Sequence, residues 1–202
     1  MEHDSLDELL KDNRIMDDEW LALGRALNID NILSKSTIDR AKSVNQELRH
    51  FFGNTIVNVT RNIYEPDYGD PILTETLKIC EIEQNTSQKS IEQIEEEIYR
   101  KLTNSFKKKH PLEWDASRKN IRTFFDKLID IGRDTRSVSD IVKDAALTGG
   151  LAAVAARFIN SAVGVGIVAN KLLFDTNWKK VLPAILIVSV IRKRLRVSDM
   201  LK

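Results

Sequence analysis

Three imidazoles, one thiol and one dense group of carboxylates are the side chains of this sequence best suited to chemistry. They are His3, His50, His110, Cys80, and the run Glu92, Glu95, Glu96 and Glu97. Histidines paired as H-E-x-x-H would hold zinc, and a thiol beside a base would be a nucleophile. Facing glutamates with Glu-x-x-His pairs would hold two metal ions in a helical bundle. No H-E-x-x-H occurs, and of the two Glu-x-x-His pairs that a two-metal bundle needs the sequence has one, Glu47 with His50. The histidines are far apart, Cys80 stands in an apolar stretch that favours a buried structural thiol, and no histidine follows the glutamates at the required interval. The glutamate run therefore reads as a solvated helix face. "GVG" at Gly164 to Gly166 is neither a dinucleotide fingerprint nor a phosphate-binding loop. The expectation is a non-enzymatic protein with no cofactor and no metal.

The elements that would position these residues are helical. Leu6, Leu9 and Leu10 recur at helical spacing, and Trp20, Leu23 and Leu27 share a face after Asp17. Ile38, Ala41, Val44, Leu48, Phe51 and Phe52 predict a third stripe, capped by Ser36 or Thr37 and stopped at Gly53, where glycine adopts positive φ cheaply. A short helix over about 55–64 follows. In "EPDYGDP", Asp70 is placed to cap a helix with Pro71 in its first turn, running to about Ile82. Ser90 and Gln93 form a capping-box pattern ahead of Ile91, Ile94, Ile98 and Leu102. "KKKHP" ends that helix. One further helix is expected over 112–131, stopped by Gly132. Alternating strand patterns are scarce, so the predicted fold is all-α: a multi-helix bundle with an apolar C-terminal helical hairpin packed in or against it. The expected parts are an amphipathic one over 1–134 and an apolar, basic one over 135–202, together one structural domain.

The hairpin is the unusual part. Between Gly149 and Phe174, "GGLAAVAARFINSAVGVGIVANKLLF" carries charge only at Arg157 and Lys171. A helix apolar on every face lies either at the centre of a bundle or in lipid. Arg157 opposes a simple membrane span, because an arginine near the bilayer centre costs about 2.5–3.5 kcal/mol on insertion scales. Gly164 and Gly166 permit close backbone approach or mark a corner, and Val165 and Val168 line the apolar face. A second apolar piece, "VLPAILIVSVI", is too short to cross a bilayer alone and is expected in a helix over 178–195 with Pro183 near its start. The expectation is a pair of apolar helices sheltered in water by the amphipathic ones. Constitutive membrane residence is the alternative, and insertion by opening of the bundle is compatible with the first reading.

Charge is split between the halves. Residues 1–100 carry 21 acidic and 11 basic side chains, whereas residues 101–202 carry 9 and 20. The split has three readings: contact between the halves, a basic end facing an anionic partner, or charges coating separate helices. The first reading motivates a pairing of Arg157 with an acid of the N-terminal half. Under the second, Trp178, Lys179, Lys180, Arg192, Lys193, Arg194 and Arg196 are candidates for a membrane or other anionic surface. "FKKKH" is a further candidate. Neither run accompanies a recognisable nucleic-acid module, so nucleic acid is not expected as a partner. A protein partner is expected, a membrane surface is the second candidate, and no residue pattern points to a particular oligomer. The acidic, polar start lacks a signal peptide's features, and the lone Cys80 suits a reducing compartment. The expected location is the cytoplasm, with peripheral contact at the inner membrane allowed by the basic end.

At "ELRHFFGNTI" the chain resembles the YaaW-like family of small bacterial proteins, which has no settled biochemical function. Glu47, Leu48, Phe52, Gly53, Asn54, Thr55 and Ile56 match that family's central pattern, with one glycine after the phenylalanine where the family has two. "YGDPILTETLKI" is similar to its Tyr-containing loop and following helix, and "LPAILIVSVIRKRLR" to its Pro-Ala-aliphatic segment with trailing arginines. The resemblance implies that Phe51, Phe52, Gly53 and Asn54 shape an interaction corner. Through a more remote similarity to the ubiquinol–cytochrome c chaperone domain it implies an α-helical, chaperone-like role. The functional expectation is a helical interaction or chaperone-like protein acting near a membrane or on a hydrophobic client. The alternative is a membrane-inserting, pore-forming-like effector that hides its apolar hairpin in a soluble bundle.

Overall fold

The computed structural model describes residues 5–53, 72–80, 89–134 and 167–201, and among them the protein is an all-α bundle of eight helices and one 3-10 turn. The helices are α1 (Leu6–Leu10), α2 (Asp17–Leu27), α3 (Thr37–Gly53), α4 (Ile72–Ile79), α5 (Ile91–Lys109), α6 (Pro111–Ser117), α7 (Ile121–Arg133) and α8 (Ile167–Met200). The 3-10 turn, Ile32–Ser34, links α2 to α3.

Local chemistry sets most of the boundaries. The Ser5 hydroxyl accepts from the Glu8 amide at the start of α1. At α5 the Ser90–Gln93 capping box forms as its spacing predicts: the Gln93 side chain accepts from the Ser90 amide at 2.9 Å and Ser90 Oγ from the Gln93 amide at 3.3 Å. α2 begins differently, with the Met16 amide donating to Glu19 Oε2 at 2.8 Å. It ends at Asn28, whose φ of 59° lies in the left-handed region that asparagine tolerates.

The single helix expected over 112–131 is two helices. Asn120 Oδ1 accepts from the amides of Arg122 and Thr123, 2.9 and 3.2 Å away, and so starts α7 afresh. α6 meanwhile folds back on α5, burying Trp114 with its ring 6.4 Å from that of Phe106 and 5.8 Å from that of Phe124. Ile38 is another departure, being 71% exposed while Ala41, Val44 and Leu48 are buried. At about 100° per residue it lies at the margin of the stripe those three define.

α8 is the centre of the arrangement and packs against α7, α2 and α5. Every residue from Val181 to Ser189 is buried, so neighbours surround this stretch on all faces. Pro183 lies well inside this long helix, not near its start as expected, and removes the backbone bond to the carbonyl of the exposed Lys179. Its ring meets α7 at Gly132, where an added Cβ would stand 2.5 Å from Pro183 N and 2.6 Å from its Cδ. Gly132 is therefore no helix stop: α7 continues to Arg133, and the glycine is the point where the two backbones cross closely.

Candidate functional site

The run Arg192–Arg196 lies in the last turns of α8, and all four of its cations pair with acids from the first hundred residues. Arg192 grips Glu95 of α5 through two hydrogen bonds, Nε to Oε2 at 2.7 Å and Nη2 to Oε1 at 3.1 Å. Arg194 grips Glu19 of α2 in the same forked manner, with Nε to Oε1 and Nη2 to Oε2 both at 2.7 Å. Lys193 Nζ lies 3.0 Å from Glu96 Oε1, and Arg196 Nη1 lies 2.7 Å from Glu92 Oε1. Residues 192 and 196 meet 95 and 92 respectively, so α5 and α8 run antiparallel along this seam.

The four pairs differ in surroundings. Side-chain exposure is 5% for Arg192 and 1% for Glu95, while Glu19 is fully buried beneath a third-exposed Arg194. Glu19 has a second task, because the oxygen bonded to Arg194 Nη2 also receives the Met16 amide. Arg194 Nη2 donates in addition to the Arg14 carbonyl at 2.9 Å. Arg14 bonds Asp12 and, further along α8, Asp199. The end of α8 is thus fastened to α2, to α5 and to the segment before α2. Bidentate guanidinium–carboxylate geometry fixes direction as well as distance. Lys193 and Arg196 remain more than half exposed, at 61% and 57%.

Contact between the halves accounts for the charge split in this run, and Arg192 and Arg194 turn inward to make it. Glu95 overturns the solvated-face expectation, and Glu19 is a second buried acid, which no sequence motif singles out. Glu95 lies in the apolar stripe of α5, four residues after Ile91 and three before Ile98, and that position gave its burial away. Glu19 stands likewise on the inner face of α2, four residues after the buried Ile15 that precedes the helix and four before Leu23. Trp178 is buried, Lys179 is exposed and Lys180 is part-buried, so the proposed interfacial group is divided between core and surface.

Arg157, Gly164, Val165 and Gly166, like Asn54, lie outside the described residues, and with them the proposed Arg157 pairing and most of the first arm of the hairpin. Val168 belongs to the first turn of α8, and Phe51, Phe52 and Gly53 close α3. Cys80 is buried, and loss of solvation pushes its thiol up to about 12, which keeps it protonated and unreactive at neutral pH. The exposed His110 caps α5, with its ring 4.9 Å from Phe106 and Nδ1 3.9 Å from Glu113. Among the described residues no group of three or more His, Cys, Asp or Glu side chains could hold a metal ion. An open depression between α5 and α8 is lined by Lys89, Glu92, Glu96, Glu97, Arg100, Lys193 and Arg196. Its charges are largely matched, since Lys89 Nζ also lies 2.7 Å from Glu97. Comparison with family models, curated proteins and solved structures finds no match to this chain.

Proposed function

We propose that the protein is a non-enzymatic helical interaction protein of chaperone-like character, acting on a hydrophobic client near a membrane. One observation carries the reading: amphipathic helices α2, α5 and α7 enclose the apolar Val181–Ser189 stretch of α8 on every face, and α2 and α5 fasten its end with oriented ion pairs. Helices that shelter one apolar helix in water offer the surface chemistry a client helix needs. The resemblance to the YaaW-like family, and through it to an assembly chaperone domain, agrees with such a role at the level of fold analogy. The test is binding of a labelled, lipid-free apolar helical peptide to the full chain, followed by fluorescence anisotropy. Saturable capture supports the proposal, and no anisotropy change up to high protein concentration sinks it.

The second reading, a membrane-inserting effector, draws on the same apolar Val181–Ser189 stretch of α8. Among the described residues no helix is long and apolar enough to cross a membrane. Dye release from anionic vesicles, abolished by Val165→Asp or Val168→Asp, would favour the effector. Absence of leakage would favour the client-binding protein.

A further inference from the structure

Where α5 gives way to α6, the surface combines cations with an exposed aliphatic side chain. Lys107, Lys108 and Lys109 occupy the last turn of α5, and the chain turns at His110 into Pro111 and Leu112. All six residues are exposed, and Leu112, at 85%, is the most exposed large hydrophobic side chain among the described residues. The acid beside it is already occupied: Glu113 accepts a hydrogen bond from Lys127, which holds its carboxyl below the usual range. Asp115 is the other acid of α6.

The corner is braced from beneath. Trp114 is buried between Phe106 and Phe124, and Lys127 Nζ stands 5.4 Å over the Phe106 ring. Lysines at a helix C-terminus complement its dipole, so the run alone requires no partner. A lone exposed leucine is equally ordinary. Their coincidence within six consecutive exposed residues is a different matter, since the dipole gives no reason for an exposed Leu112 three residues after Lys109.

We propose that this corner is the contact site for an anionic lipid surface, with Lys107 and Lys108 at the headgroups and Leu112 entering the boundary of the acyl chains. Cations for the headgroups and a small apolar wedge are what such a surface rewards. Single-stranded RNA would reward exposed aromatic faces on which bases stack. Here the rings of Phe106, Trp114 and Phe124 pack on one another, and Trp114 is buried. Arg192 and Arg194 are less suited to such a contact, because their guanidinium groups are held by Glu95 and Glu19. It rests on the reading that the protein works beside a membrane and is independent of client capture.

The experiment is flotation of the full chain with vesicles of phosphatidylglycerol and phosphatidylcholine, beside vesicles of phosphatidylcholine alone. The wild type is expected to float only with the anionic vesicles. Lys107→Gln and Lys108→Gln should each weaken binding about fivefold, and Leu112→Ser several-fold, while Lys42→Gln on α3, also an exposed lysine, leaves it unchanged. These exposed positions leave the fold intact, which circular dichroism checks. A wild type that fails to float, or variants that float like the wild type, would overturn the proposal. So would tight binding of an RNA oligonucleotide that depends on the lysines and not on Leu112. Capture of the apolar peptide, measured on the same samples, separates failure of this corner from failure of the client-binding reading.

Discussion

Glu95 and Arg192 face each other across the seam between α5 and α8 in a two-bond fork, and neither side chain is more than 5% exposed. Two charges taken this far out of water are expensive unless each answers the other. The pair therefore orients the two helices more than it adds net stability.

Removing one partner leaves the other buried and uncompensated. Glu95→Ala or Arg192→Ala should each cost about 3–5 kcal/mol. The double replacement Glu95→Leu with Arg192→Met should recover most of that loss. Urea unfolding of the four proteins checks this, and strictly additive losses would show that the two residues do not act as a pair.

Glu19 both binds Arg194 and receives the Met16 amide. Glu19→Gln keeps an acceptor for the amide and loses the charge, whereas Glu19→Ala loses both. Alanine should therefore be the more damaging, with the gap of about 1 kcal/mol expected of a lost cap. Equal losses in urea melts would indicate that the cap contributes nothing.

Gly132→Ala runs against helix propensity. In an open helix that change gains about 1 kcal/mol. Here the new methyl would meet the backbone nitrogen and ring of Pro183, so α7 and α8 must separate, at an expected net loss of about 1–3 kcal/mol. A raised thermal midpoint would mean that the crossing is looser than described.

Burial raises the Cys80 thiol from 9.0 to about 12, so its pH effect has a definite sign. The folded state holds the proton more tightly than the unfolded chain. The associated stability is fully present below pH 9 and declines as the pH rises from there through about 12. At neutral pH an aromatic disulfide reagent should label Cys80 only as fast as the protein opens. Rapid labelling of the folded protein would contradict that burial.

Caps and stripes were legible because they are local. Ser90 and Gln93 announce α5 three residues apart, and the apolar character of Val181 to Val188 is plain in any reading. What escaped depends on contacts across the bundle. Glu95 is one of a run of glutamates, and only its register against Ile91 and Ile98 separates it from the solvated members. Gly132 has the form of a helix stop, and the need for a glycine there comes from Pro183, 51 positions away in the chain. The break between α6 and α7 turns on Asn120 and on the burial of Trp114, which a continuous hydrophobic pattern conceals. The charge split pointed toward contact between the halves. It did not single out Arg192 and Arg194 as the residues that would turn inward.

α8 is a core helix, sheltered over Val181–Ser189 and latched at its end to α2 and α5. Backbone hydrogen exchange of the full chain, with and without anionic vesicles, tests this arrangement most directly. Amides from Ala184 to Ile191 should exchange among the slowest, through global unfolding, in both conditions. Rapid exchange there in water would contradict it. So would a vesicle-induced loss of protection in α2 and α5 while α8 stays protected, because that pattern would mean α8 had left the bundle for lipid.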